Sequence, residues 1–252
     1  MFIPLHDKNK LDHIDIQYVT AGLIAINIFM WLLTALSGTQ GSFTNAAVLG
    51  LGFIPAVAYG DAVLAPGYAI VPEAATYITY SFLHADFWHL AGNMLFLWVF
   101  GDNIEDALGH FRFLVFYLAC AAAGAFAHAL LQPASEAPLI GASGAVAGIV
   151  AAYLILHPRV RVWILALGRI PLPLPAYIPL LFWVGLQFYM VLTGGDKAIS
   201  WTAHIGGMIA GAVLVVILKR REVPLFDRQV LTPKAVVHKD RMEQATARKW
   251  GR

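Results

Sequence analysis

The chain has 252 residues, 59% of them hydrophobic and 13% charged, with mean hydropathy +0.68 and a formal net charge of +2. Soluble domains carry roughly 25% charged residues, so an ordinary water-soluble enzyme is excluded, and no nucleic-acid partner is expected. The single cysteine, Cys120, excludes an intrachain disulfide and is read as a helix-packing residue. The head, residues 1–15, lacks a short apolar core followed by a small-residue cleavage site, so it reads as a polar arm rather than a signal peptide. An Arg- and Ser-rich organellar presequence is likewise missing, which points to a bacterial inner membrane.

About 20 apolar residues cross a ~30 Å hydrocarbon core. Val19–Leu36 is the first such run. Phe43–Ala58 is apolar but broken by Gly50, Gly52 and Pro55, and reads as interfacial. The second run begins around Thr76–Leu83, is fully apolar after His89 except for Asn93, and ends at Phe100. The others are Phe111–Leu131, Leu139–His157, Leu174–Thr193 and Trp201–Leu218, the last opened by an interfacial tryptophan. The predicted fold is an all-α polytopic bundle of six transmembrane helices. An N-terminal arm (1–18) precedes the membrane unit (19–218), and a basic tail (219–252) follows it.

Charge sets the topology. No Lys or Arg occurs between Thr20 and Phe111, and on one side of a six-span arrangement the only basic residue is Lys197. The other 16 of the 17 lie on the opposite side, which the positive-inside rule assigns to the cytoplasm together with both termini. The second, fourth and sixth spans then run in the same direction. Ser143 lies 14 residues before His157, and His204 lies 14 before Leu218, so both sit about 21 Å above the inner ends of parallel helices.

A serine and a histidine in lipid are costly and ask for a role. A hydroxyl attacks a carbonyl when a neutral imidazole takes its proton. Ala147 and Ala151 below Ser143, and Gly207 and Gly211 below His204, are small enough to let the two helices approach. His89 and Asn93, at i and i+4 on the second span, can donate to an oxyanion, as can the Ser143 backbone N–H at a helix start. Asp86 is the only carboxylate in the outer halves of these spans, which favours a Ser–His dyad over a triad.

These residues bear a resemblance to the rhomboid intramembrane serine proteases. The matching elements are His89-x-x-x-Asn93, Gly141-Ala142-Ser143-Gly144 and Ala203-His204-Ile205-Gly206-Gly207 with Gly211. The stretch Gly101–Asp106 followed by Arg112-Phe113 also resembles the family's second–third loop. The resemblance implies Ser143 as nucleophile, His204 as base and then acid, and an oxyanion hole of His89, Asn93 and the Ser143 amide. It also implies transmembrane segments of other membrane proteins as substrates, and no cofactor. The sequence departs from the family at two places. Ser37–Glu73 has neither Trp nor Arg, and Ala147 stands where some members stack a tyrosine on the base. Trp201, Phe188 or Tyr189 is expected to pack there instead.

Simpler readings compete at each position. Gly141–Gly148 reads alone as a packing stripe, and His204 or Asn93 as an interhelical hydrogen-bonder. His84 is either support for the site or interfacial, and His128 is structural. Glu105 and Arg112 are expected to make a structural loop contact. His84, His89 and His204 lack a His-Glu-x-x-His pattern or a cysteine cluster, so no metal site is expected. Phe182, Trp183, Phe188 and Tyr189 read as lipid-facing packing or as a lateral gate. The tail reads as solvated, with contact to anionic lipid as an alternative. A non-enzymatic rhomboid-like protein that binds and routes membrane clients is the competing function. A transporter would require paired broken helices, and no internal repeat suggests them.

Overall fold

A computed structural model describes residues 2–38, 42–166, 168–195 and 199–227. Strand β1 (Phe2–Asp7) leads into helix α1 (Tyr18–Leu36). Short helices α2 (Ser42–Leu51), α3 (Pro55–Ala58) and α4 (Glu73–Thr79) follow, the last continued by a 3₁₀ turn at Tyr80–Phe82. Then come α5 (Phe87–Leu108), α6 (His110–Leu131), α7 (Ser143–Leu156), strands β2 (Arg161–Ala166) and β3 (Ile170–Pro175), α8 (Tyr177–Thr193) and α9 (Trp201–Leu218). Among the described residues, α1, α6 and α9 are each long and apolar enough to cross a membrane. Helices α7 and α8 are apolar but shorter.

The fold is mostly helical, yet the all-α expectation needs correction. Strands β1, β2 and β3 form an antiparallel sheet in that order. Phe2 pairs with Ala166 and Asp7 with Val162, with an irregularity between Pro4 and His6. Arg161–Ala166 pairs with Ile170–Pro175 along its whole length. Pro171, Pro173 and Pro175 alternate in β3, so their nitrogens face the free edge, where a proline removes a donor that would otherwise go unpaired. Part of the supposed polar arm is thus a strand whose Phe2 and Pro4 are buried. The Phe2 ring packs on Phe96 of α5, with centroids 6.1 Å apart.

The second correction concerns the C-terminal end of α5. This helix does not stop at Phe100 but runs to Leu108, and Gly109 alone (φ +84°) separates it from α6. A positive φ suits glycine and ends both helices in one residue. The residues expected in a loop are therefore helical, and they clasp the N-terminal segment. Glu105 accepts from the Val19 and Thr20 N–H groups (2.9 and 2.8 Å) and from the Thr20 hydroxyl (2.6 Å). Asp106 accepts from the N–H groups of Asp12, His13 and Ile14. Arg112 does not meet Glu105; its Nη1 donates to the Leu218 carbonyl, and Glu105 pairs with His110. Asp7 accepts from Tyr153 Oη of α7 (2.5 Å) and Asn103 Nδ2 of α5 (2.9 Å).

Residues after α9 turn back under the bundle. The Arg220 N–H donates to Ala107 O, and the Phe226 and Asp227 N–H groups donate to Ile155 and Leu156 O, serving carbonyls that the ends of α5 and α7 leave unpaired. Residues 228–252 of the expected tail, and Lys197, lie outside the described residues.

Glycine sets the packing of α6, α7 and α9. A Cβ on Gly207 would overlap the Gly144 carbonyl oxygen, and one on Gly211 would overlap that of Gly148. The two contacts advance together along both chains, so α7 and α9 are parallel and their backbones touch. The expected partners Ala147 and Ala151 are off by three residues, a rotation of roughly 60°. They pack instead with Met208 and, from α8, Trp183 and Val184. Gly148 faces Cys120 of α6, which is fully buried as a packing residue.

Candidate active site

Four elements bring the site together. The chain entering α7 is pinned on two sides: Leu139 exchanges backbone hydrogen bonds with Phe53 (3.1 and 2.8 Å), and the Gly141 N–H donates to Tyr80 O (3.0 Å). The stretch between α1 and α4 that lacks Trp and Arg is anchored by that bridge. The Ala56 N–H also donates to Ser135 O (3.0 Å), and the Phe53 and Tyr77 rings pack 4.4 Å apart. Ser143 is thereby held at the first position of α7. Ala142 before it provides no side-chain cap, so the first-turn N–H groups keep their donor capacity.

Helix α5 opens on Asp86, whose carboxylate accepts from the Trp88 and His89 N–H groups at 2.7 and 2.9 Å. This cap fixes where His89 leaves the helix. The His89 imidazole lies over Gly141: a Cβ there would come within 2.6 Å of its Cε1 and Nε2, and Gly141 itself has φ +121°. Only glycine satisfies both the backbone and the space. Asn93, one turn along, is buried and donates from Nδ2 to His84 Nε2 at 3.1 Å. His84 is therefore support for Asn93, and its ring also meets His89 edge-on at 5.1 Å.

Helix α9 opens on Ser200, which accepts from the Ala203 N–H (3.2 Å) and hydrogen-bonds His128 Nδ1 of α6 (2.8 Å). That bond supplies the partner of His128 that the sequence did not reveal. The buried His204 follows one turn later. Its Nδ1 lies 2.8 Å from Gln187 Oε1 of α8, and its ring is stacked by Trp183 (centroids 6.1 Å, interplanar 25°) and met edge-on by Trp201 (5.9 Å, 82°). Trp201 packs where the sequence suggested, while the described ring contacts of His204 include neither Phe188 nor Tyr189.

Ser143 and His204 stand in the first turns of the two helices whose backbones touch. Ala203 O lies 3.4 Å from where a Gly144 Cβ would be. No hydrogen bond joins Ser143 Oγ to His204 among the described residues; such bonds commonly shorten only when substrate is bound. Sequence reasoning missed Gln187 altogether. Its signal was available: Gln187 is the one amide in an otherwise apolar fifth run, and such a group in lipid needs a partner.

A Rhomboid domain profile matches residues 72–221, a segment containing His84, His89, Asn93, Ser143, Gln187 and His204. The chain belongs to the rhomboid family. It is 31% identical over 154 residues to RHOMBOID-like protein 12, mitochondrial, of Arabidopsis thaliana, covering 55% of this chain and 44% of that one. Rhomboid protein 1, mitochondrial, of Saccharomyces cerevisiae is 30% identical over 142 residues, covering 53% and 38%. Rhomboid protease GluP of Bacillus subtilis is 30% identical over 214 residues, covering 83% and 36%. The chain thus spans well under two thirds of the length of each. Strand β1 and α1 lie outside the profile match, whereas β2, β3, Glu105 and Asp106, which receive them, lie inside it.

Proposed function

We propose that this rhomboid-family membrane protein is a serine endopeptidase that cleaves transmembrane segments of other membrane proteins. Ser143 Oγ attacks the scissile carbonyl while His204 Nε2 takes its proton. The Ser143 N–H, Asn93 Nδ2 and the His89 ring donate to the oxyanion, the role that preorganised donors play in acyl transfer. His204 then protonates the leaving amine, and water releases the acyl group by the reverse sequence. No cofactor enters any step. The observation that supports the reading most is the backbone contact of Gly144 with Gly207, one residue after Ser143 and three after His204.

Six spans, with both termini in the cytoplasm, follow from the distribution of basic residues. The membrane unit is assigned to residues 19–218, between the arm and the tail. Helix α7 has 14 residues, about 21 Å. It is shorter than a ~30 Å core, so Ser143 sits below the outer surface and water reaches it through a cavity between α5, α7 and α9. An intact substrate helix hides its carbonyls, so substrates with helix-weakening Gly or Pro near the cut are favoured. The host membrane is assigned to a bacterial inner membrane.

Purified protein in proteoliposomes with a tester transmembrane protein decides the matter. The native chain should cleave it and Ser143→Ala should not. Cleavage that survives the substitution would sink the assignment. Clients that bind both forms uncut would favour the routing function instead.

A further inference from the structure

The geometry points to Gln187 as the positioning residue that holds His204 in the tautomer and orientation the proposed protease needs. The inference rests on that reading for its consequence but not for its geometry. Gln187 Nε2 donates to the Trp183 carbonyl one turn back, at 2.9 Å. A carbonyl can only accept, so the amide cannot be flipped without setting two oxygens against each other. Oε1 is therefore the end that faces His204 Nδ1 at 2.8 Å. Oε1 also only accepts, so the ring proton resides on Nδ1, and the lone pair of the neutral ring is on Nε2. A general base facing the serine requires that lone pair.

Beside the edge-on Trp201 of α9, the stacking and the hydrogen bond on the ring both come from α8. Trp183 and Gln187 are four residues apart and share a helical face. Trp183 fixes the ring plane by stacking, and Gln187 fixes rotation within that plane. Ala147 of α7 lies in the same apolar cluster as Trp183 of α8. The role left open by Ala147 has passed from the helix of Ser143 to α8. Seating of α8 against α9 is consequently a condition for an aligned base, and an outward swing of α8 would disarm it. Among the described residues, the titratable side chain that bears electrostatically on His204 is His89.

The test is ¹⁵N NMR of histidine-labelled protein, with His204 assigned by its loss in His204→Ala, alongside kinetics on the tester substrate. The native chain should show His204 protonated at Nδ1. Gln187→Leu should lose that preference and lower kcat by at least about 10²-fold, the lower range for a general base, with KM unchanged. Gln187→Glu keeps an acceptor on Nδ1, so it should retain the tautomer and move the acid limb of the kcat profile to higher pH. Native-like tautomer and kcat in Gln187→Leu would overturn the role. If Gln187→Leu fails to fold, an unmoved pH profile in Gln187→Glu would overturn it equally. A native chain that cleaves nothing defeats the protease reading alone, because the NMR result still decides what Gln187 does to the ring.

Discussion

Polar side chains gather in two places in this bundle, and the two gatherings differ in how fully their groups are used. At the C-terminal end of α5, Glu105 and Asp106 spend their oxygens on backbone N–H groups of residues 12–14 and 19–20, and on the side chains of Thr20, His13 and His110. Such a cluster fixes the chain leading into α1 and leaves little capacity over. At the opposite end, around the starts of α5, α7 and α9, three side-chain pairs stand out: His84 with Asn93, Gln187 with His204, His128 with Ser200. His204 is held through Nδ1, which leaves its Nε2 unspent. The Ser143 hydroxyl bonds to no other described residue. Saturated polar groups make structure, whereas groups held by one end keep capacity for chemistry.

The contrast can be broken by substitution. The largest effect is expected around the starts of α5, α7 and α9, where His204→Ala should lower kcat by about 10⁴-fold or more with the thermal transition preserved. Asn93→Ala should cost about 10²–10³-fold in kcat, the range for one oxyanion donor, with KM little changed. Gly207→Ala links the two measures, since its methyl would push α9 off the Gly144 carbonyl. Denaturation should register about 1–3 kcal/mol for that overpacking, with activity falling as well. At the C-terminal end of α5 the order reverses. Asp106→Ala leaves three backbone donors without their carboxylate, so stability should fall by about 1–3 kcal/mol, while kcat of the folded fraction holds.

The smallest effect concerns pH at the clasp of the N-terminal segment. Burial pushes the Asp7 carboxyl up from 3.8 to about 7, against hydrogen bonds that lower it. The folded state therefore binds a proton that the unfolded chain releases near pH 4. The sign follows: stability from this group is fully present below pH 4 and is lost as pH rises towards 7. Asp7→Asn should flatten that slope in melting temperatures measured between pH 5 and 8.

Much of the bundle was legible because membrane helices announce themselves by apolar length. Trp201–Leu218 matches α9, and Val19–Leu36 and Phe111–Leu131 each differ from α1 and α6 by one residue. The sheet was not legible, because β1 and β2 are more than 150 residues apart and their apolar letters merge with neighbouring runs. The C-terminal end of α5 was misjudged for a related reason. Its acidic residues look like a loop until the distant backbone donors that neutralise them are known. The parallel course of the helices carrying Ser143 and His204 was readable from charge bias, whereas the contact face, Gly144 and Gly148, lies three residues from the one expected. What orients His204 required the structure, since nothing local to either helix reveals a glutamine on α8.

Labelling with a serine-reactive fluorophosphonate in proteoliposomes tests the central claim most directly, because it reads the activated hydroxyl without needing the natural substrate. Mass spectrometry should find one adduct, on the peptide carrying Ser143, and that adduct should vanish in His204→Ala. An unlabelled native chain, or equal labelling of Ser143 without His204, would contradict the account.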